Sequence, residues 1–374
     1  MKIRDVEAIY IRSASVKDQC DSGQDALIVR VTTDAGITGI GEVDSSPVAA
    51  QGAILGPYSH TLTTGLRHLL IGEDPFRTEY LWDKMYRGNL YSGRFGIGVH
   101  AMSGIDIALW DIKGKALQMP IWRLLGGGFH KKIKCYASVL WETTPEKTYA
   151  RAAQLRDRGF EAVKFGWGPM GQDAENDVRM VAEARQGLGA KADLMIDAGL
   201  VWDAKTAIQR ARAFAEYNPF WLEEPLMPGD YAGYRKLSNS TDLRIAAGEE
   251  ESGRETFQRL IVEGDVDVVQ VDLTRCGGFT EGMKIASMAD SYAKKVANHG
   301  FTTYINVAAA LHFLNSIPNS IVAEYVAQDH DGNDLRDRIT KQRVLARDGY
   351  LEMPQEPGLG LELDDDAIAE MRVS

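Results

Sequence analysis

Three carboxylates, Asp197, Glu223 and Glu249, recur at intervals of 26 residues along this 374-residue chain. Each closes an apolar run of strand-like composition: Leu194-Met195-Ile196, Phe220-Trp221-Leu222, and Leu243 to Ala247 ahead of Gly248-Glu249. That interval fits one strand, one crossover helix and two short loops. Residues repeated at strand C-termini converge on one end of a parallel barrel. Three acids facing one point repel each other unless a cation lies between them, and hard oxygen donors with positions left for water suit Mg²⁺. The competing reading is that these acids merely cap the helices that follow.

The elements needed to place the acids are legible from Lys132 onward. Short apolar runs at Ile133–Val139, Ala162–Gly166, Asp193–Asp197, Phe220–Glu223, Arg244–Gly248, Val266–Asp272, Lys295–Asn298 and Ile321–Glu324 read as strands. Amphipathic helices are expected between them, for instance at Pro145–Arg158, Ala174–Gly187, Ala204–Tyr217, Glu255–Val262, Thr280–Tyr292 and Ile305–Leu314. Alternation of this kind predicts an α/β fold, a TIM barrel of (β/α)₇β type. A doubly wound sheet is the rival, but no GxGxxG turn opens the region.

Residues 1–128 read instead as an α+β capping domain. Ile3–Ile11, Ala26–Thr33 and Ile37–Val43 form an antiparallel meander, with helices over Val48–Leu70, Phe76–Tyr86 and Val99–Leu117. The small residues of the last helix would let a neighbour approach closely, and its Asp106 and Asp111 read as structural. The barrel is assigned to residues 129–347. Residues 348–374, with the extended run Tyr350-Leu351-Glu352-Met353, are expected to find no partner strand in the barrel and to return to the capping domain.

Composition narrows the function. The formal net charge of −11 argues against nucleic acid or an acidic membrane as partner, and no apolar stretch is long enough to span a membrane. Cys20, Cys135 and Cys276 are three in number and widely spaced, with no CxxC. A reducing, cytoplasmic location fits that pattern, without a disulfide framework or zinc site. The start of the chain reads as a strand, not a signal peptide.

The remaining barrel strand ends add Lys164, Asp272, His299 and Glu324 to the three acids. Taken singly, Lys164 could snorkel, Glu324 could pair on the rim and His299 could make an ordinary polar contact. Seven titratable strand ends exceed what helix capping requires, and the joint set points to a catalytic site.

This constellation resembles the enolase superfamily, in its mandelate racemase-like subgroup, over essentially the whole chain, from the Ser103-Gly104-Ile105-Asp106-Ile107-Ala108-Leu109-Trp110-Asp111 helix to Pro357-Gly358-Leu359-Gly360. The resemblance implies that Asp197, Glu223 and Glu249 ligate Mg²⁺, with Glu249 preferred to Glu250 and Glu251 by the Gly-Glu pattern. It implies that Asp272 and His299 form an Asp–His dyad, that Glu324 is the acid of the last strand, and that Lys164 is the first lysine of a Lys-x-Lys motif. It also implies a homo-oligomer, from dimer to octamer. Two positions depart from the pattern. Gly166 stands where the family has its second lysine, the base on the opposite face of the substrate. Asp197-Ala198-Gly199 stands for the frequent Asp-x-Asn. The rhamnonate dehydratase group likewise lacks the second lysine and carries a similar Trp-Gly-Pro run, here Trp167-Gly168-Pro169.

These residues imply removal of a proton α to a carboxylate, with the enediolate stabilised by Mg²⁺, Lys164 and a protonated Glu324. His299 is the base, oriented by Asp272. Without an opposing lysine, β-elimination from a polyhydroxy (sugar) acid to a 2-keto-3-deoxy acid is favoured over racemisation. An epimerase or cycloisomerase is the alternative, with a second base from the Ser13–Asp25 loop or His60. A non-catalytic sugar-acid binder is the alternative of another class. Substrate contacts are expected from Lys164, Glu324 and Trp167. The closing segments are Ser13–Asp25, read as a mobile loop whose polar Lys17, Asp18, Gln19, Asp21 and Gln24 suit hydroxyl groups, and Val43–Ile54.

Overall fold

The computed structural model describes residues 1–18, 20–327 and 335–373; Gln19 of the expected closing loop lies outside them. Strands β1 (Ile3–Arg12), β2 (Asp25–Thr33) and β3 (Thr38–Val43) form the antiparallel meander in the order β1-β2-β3. The Ile97–Leu117 helix lies directly on β3. A Cβ at Gly41 would fall 2.0 Å from the carbonyl oxygen of Gly104, so the two backbones meet where neither residue carries a side chain.

The helix expected over Val48–Leu70 is two helices, Pro47–Leu55 and Leu66–Leu70. Pro57 disfavours helical geometry at Gly56, which is extended (φ −51°, ψ 147°). The chain then doubles back until Gly65 packs on Gly56, with no room for a Cβ between them.

The barrel is closed by eight parallel strands: β4 (Lys132–Leu140), β5 (Ala162–Gly166), β6 (Asp193–Asp197), β7 (Trp221–Glu223), β8 (Ile245–Ala247), β9 (Val268–Val271), β10 (Lys295–Asn298) and β11 (Ser320–Val326), with β11 pairing back to β4. Crossover helices follow the first seven strands, including Tyr231–Ser238, which the sequence reading does not name. After β11 the next helix among the described residues is the single turn Leu335–Arg338, and a last helix spans Asp365–Met371. Inside, Tyr136, Ala162, Met195, Trp221, Ala246, Val268, Ala297 and Val322 pack one from each strand. Large and small side chains fill the barrel and make a floor beneath its mouth.

The C-terminal run departs from expectation. β12 (Tyr350–Glu352) pairs antiparallel with Lys132–Lys134 of β4. β4 begins below the point where β5 and β11 pair with it, at Ala137 and Cys135. Its first residues therefore offer free backbone groups that the returning chain satisfies. Beyond β12 the tail reaches the capping domain: Leu359 N–H donates to Asp111 Oδ1 (2.9 Å) and Val373 N–H to the Tyr10 carbonyl (2.8 Å). Asp111 also accepts from Ile40 N–H, and Asp106 from Thr280 N–H and Oγ1–H, so both acids tie elements together. Among the described residues no disulfide joins Cys20, Cys135 or Cys276, and no helix is long and apolar enough to cross a membrane.

Candidate active site

The mouth of the barrel gathers all seven strand-end groups. Asp197 and Glu223 are direct register partners at the ends of β6 and β7. Glu249 lies two residues beyond β8, and carboxylate oxygens of the three come within 4.8 Å of one another in a buried cluster. Glu250 is exposed, and Glu251 turns away to accept from Tyr231 Oη–H. Trp221 Nε1–H donates to Glu223 Oε2 (2.8 Å) from the floor, while Gly199 N–H holds Asp197 Oδ1 (2.9 Å).

Charge in this cluster is unbalanced. Burial and then the Glu223 carboxylate push Asp197 well above the usual carboxylate range. Burial, with Glu324 and Glu249 adding to it, pushes Glu223 up to about 7 although Lys164 opposes. Glu249 Oε2 is buried without a hydrogen-bond partner. An orphaned carboxylate oxygen facing two further acids is the donor set of a hard divalent cation, so the residues present fit Mg²⁺.

Lys164 reaches across from β5. Its Nζ hydrogen-bonds Glu223, lies 2.8 Å from Glu324 Oε1 and sits 5.5 Å above the Tyr136 ring. Burial alone would lower Lys164, but Glu223 and Glu324 outweigh it and hold the ammonium charged. The same contact corrects the expectation of a protonated Glu324. Burial raises this carboxyl, yet Lys164 and His299 bring it below its ordinary value, and its Oε2 accepts from Gly300 N–H (2.7 Å). Glu324 is an ionised acceptor here.

The dyad is formed. His299 Nδ1 lies 2.7 Å from Asp272 Oδ2, which directs Nε2 toward the cavity, 3.5 Å from Glu249. Asp272 is fixed in turn by Thr274 N–H (2.7 Å) and Asn306 Nδ2–H (3.2 Å). Burial raises Asp272, but the His299 hydrogen bond and charge bring it below its ordinary value. For His299, burial lowers the imidazole, but Glu249, Asp272 and Glu324 outweigh it and raise it to about 10. The metal-free fold thus binds a proton at His299 that the unfolded chain releases near 6.5. This stabilisation is complete below 6.5 and is lost as pH rises through about 10. A cation neutralising Glu249 removes the largest raising influence. The His299 midpoint, followed by NMR, is therefore expected to fall when Mg²⁺ is added; an unchanged midpoint would uncouple the histidine from the acids.

The two departures from the family pattern have steric reasons. A Cβ at Gly166 would lie 2.5 Å from Asp197 Oδ2 and 3.0 Å from its Cβ. A Cβ at Gly199 would lie 3.1 Å from the Trp167 ring. Trp167, at φ +58° and 44% exposed, forms part of the cavity wall beside Gly166. Gly166→Ala is expected to displace Asp197, at the roughly 1–3 kcal/mol typical of overpacking, and to weaken Mg²⁺ binding by about tenfold or more. Calorimetric titration checks this, and unchanged affinity would refute it.

Both expected closing segments reach the cavity, through Ser22 and Gly23 and through Asp44. The first is pinned to the barrel: Asp21 accepts from Leu140 N–H (2.8 Å) and Arg151 (3.0 Å), and Gly23 N–H donates to the Phe301 carbonyl (2.8 Å). His60 does not line the cavity; it is exposed, edge-on to Tyr91. Sequence reasoning overlooked Asp44 and Arg275, whose guanidinium Nη2 lies 2.8 Å from Asp44 Oδ2 while Nη1–H donates to the Glu249 carbonyl (3.1 Å). The available signals were an acid directly after a strand and an arginine in the loop after β9.

A capping domain over a barrel mouth with this acidic cluster and dyad defines a class. Residues 12–126 match the mandelate racemase / muconate lactonizing enzyme N-terminal domain, and residues 147–367 match the enolase C-terminal domain-like family. The chain belongs to the enolase superfamily, in its mandelate racemase-like subgroup. It is 32% identical to a D-galactarolactone cycloisomerase of Agrobacterium fabrum over 93% of this chain and 91% of that protein. It is 33% identical to a D-galactonate dehydratase of Pectobacterium atrosepticum over 92% and 90%. The crystal structure of the 3,6-anhydro-D-galactonate cycloisomerase from Zobellia galactanivorans covers the whole of both chains at TM-score 0.89 and 32% identity.

Proposed function

We propose that this protein is a Mg²⁺-dependent hydro-lyase that dehydrates a polyhydroxy sugar acid to a 2-keto-3-deoxy acid. The observation that carries the reading is a one-sided acid–base apparatus. His299, backed by Asp272, faces the cavity beside Glu249, while the position of an opposing lysine is Gly166, packed on Asp197. The relation to D-galactonate dehydratases supports it.

In this reading Asp197, Glu223 and Glu249 hold the divalent cation, which when bound supplies positive charge at the substrate carboxylate. Lys164 adds a fixed ammonium to the same carboxylate. His299 Nε2 removes the proton at C2, and the C–H electrons form the C1–C2 double bond of the enediolate. As they move to C2–C3, the C3–O bond breaks and the imidazolium returns its proton to the departing hydroxyl as water. Asp272 keeps Nδ1 protonated and stabilises the imidazolium. The enol then tautomerises to the 2-keto-3-deoxy acid.

A second reading is favoured by the two cycloisomerases among the relatives. The same residues would expel a ring oxygen in place of a hydroxyl, giving a product isomeric with the substrate and releasing no water. Screening Mg²⁺-loaded protein against open-chain sugar acids, lactones and anhydro acids separates the readings. Formation of 2-keto-3-deoxy acid from open-chain substrates with loss of 18 mass units supports the first. Isomeric products from cyclic substrates alone would replace it by the second.

A further inference from the structure

The charged groups on the cavity wall are already matched to one another. Among the described residues lining it, the cationic side chains are Lys164 and Arg275, beside the imidazole of His299. Lys164 is committed to Glu223 and Glu324, and His299 to Asp272. Arg275 is committed to the capping domain. Its Nη2 and Nε lie 2.8 and 3.1 Å from Asp44 Oδ2, and Nη1 is held by the Glu249 carbonyl. Both close contacts fall on one oxygen of Asp44, so the carboxylate keeps acceptor capacity for a further donor.

The position of Asp44 matters because carboxylate oxygens of Asp44 and Asp272 and a His299 ring nitrogen lie within 4.8 Å of one another. A substrate whose α-carbon sits over His299, with its carboxylate toward Lys164, directs the rest of its carbon chain past this wall. A hydroxyl there can donate to Asp44. A second carboxylate there meets an acid of like charge whose arginine is already engaged, and no other cation of the lining is free to receive it.

We propose that Asp44 determines specificity by accepting a hydrogen bond from a substrate hydroxyl beyond C2. The Asp44–Arg275 pair then restricts the site to sugar acids with one carboxylate, the aldonate class, and rejects the dicarboxylate aldarates. This inference rests on the sugar-acid reading of the same site.

The test compares stereochemically matched aldonates and aldarates with Mg²⁺-loaded wild type and with Asp44→Asn, which keeps the side-chain shape while removing its charge. Wild type is expected to favour an aldonate by about a hundredfold or more in kcat/KM over its matched aldarate. Asp44→Asn is expected to raise the aldonate KM by roughly tenfold, as loss of a hydrogen bond to a charged group does, and to narrow the ratio because Arg275 becomes available to a second carboxylate. Equal or better turnover of aldarates by wild type, or an unchanged ratio in Asp44→Asn, would overturn the proposal while leaving the sugar-acid reading intact. Turnover of neither class would overturn both. If Asp44→Asn fails to fold, competition in wild type decides: aldarates inhibiting aldonate turnover as strongly as a matched unreactive aldonate would overturn the proposal, and weak inhibition supports it.

Discussion

His299→Asn should abolish both dehydration and exchange of the α-proton while Mg²⁺ binding persists. One imidazole, held by Asp272 at 2.7 Å, serves both proton removal and proton return. Loss of a general acid–base group typically costs about 10²–10⁴-fold, and a group used in both steps belongs at or beyond the upper end. Glu249 lies 3.5 Å from the imidazole, so its environment changes too, and retained metal affinity is the necessary control. Proton NMR of substrate and product in ²H₂O measures turnover and exchange together. Exchange surviving in His299→Asn would reveal a second base.

Lys164→Met is expected to produce the next largest effect. The ammonium is fully enclosed between Glu223 and Glu324 and stays charged. It is therefore placed in advance for charge that develops on the substrate carboxylate. Loss of one such preorganised donor typically lowers kcat by about 10²–10³-fold, and kcat/KM should fall with it. A variant with only a raised KM would assign the lysine to uniform binding. The substitution also leaves two buried carboxylates without their cation, so the metal-free variant should be markedly less stable than wild type. A thermal melt in chelator, compared with one in Mg²⁺, separates that stability effect from the catalytic one.

Much of the barrel and its mouth could be read from the chain because its signals are local. Apolar runs, with a charged residue at or near the end of most and a 26-residue interval between three of them, mark β5 to β11 to within a few residues at either end. What escaped depends on distance in space. Asp44 and Arg275 meet across 231 residues of sequence, and neither stands in a motif. The ionised state of Glu324 follows from the approach of Lys164, 160 residues earlier in the chain. The reasons for Gly166 and Gly199 lie in Asp197 and the Trp167 ring, which only the folded mouth brings against them. β12 found a partner because β4 extends below its parallel neighbours, a feature of register that composition does not carry. The break in the capping helix is the exception, since Gly56-Pro57 is a local stop signal present in the sequence itself.

The one-sided acid–base apparatus is tested most directly by wild-type turnover of an accepted sugar acid in ²H₂O, with C2 and C3 followed by NMR. Proton removal and return by His299 alone should give a 2-keto-3-deoxy acid carrying solvent deuterium at C3, with the remaining substrate unepimerised at C2. Accumulation of the C2 epimer would require a proton donor on the face occupied by Gly166 and would contradict the account.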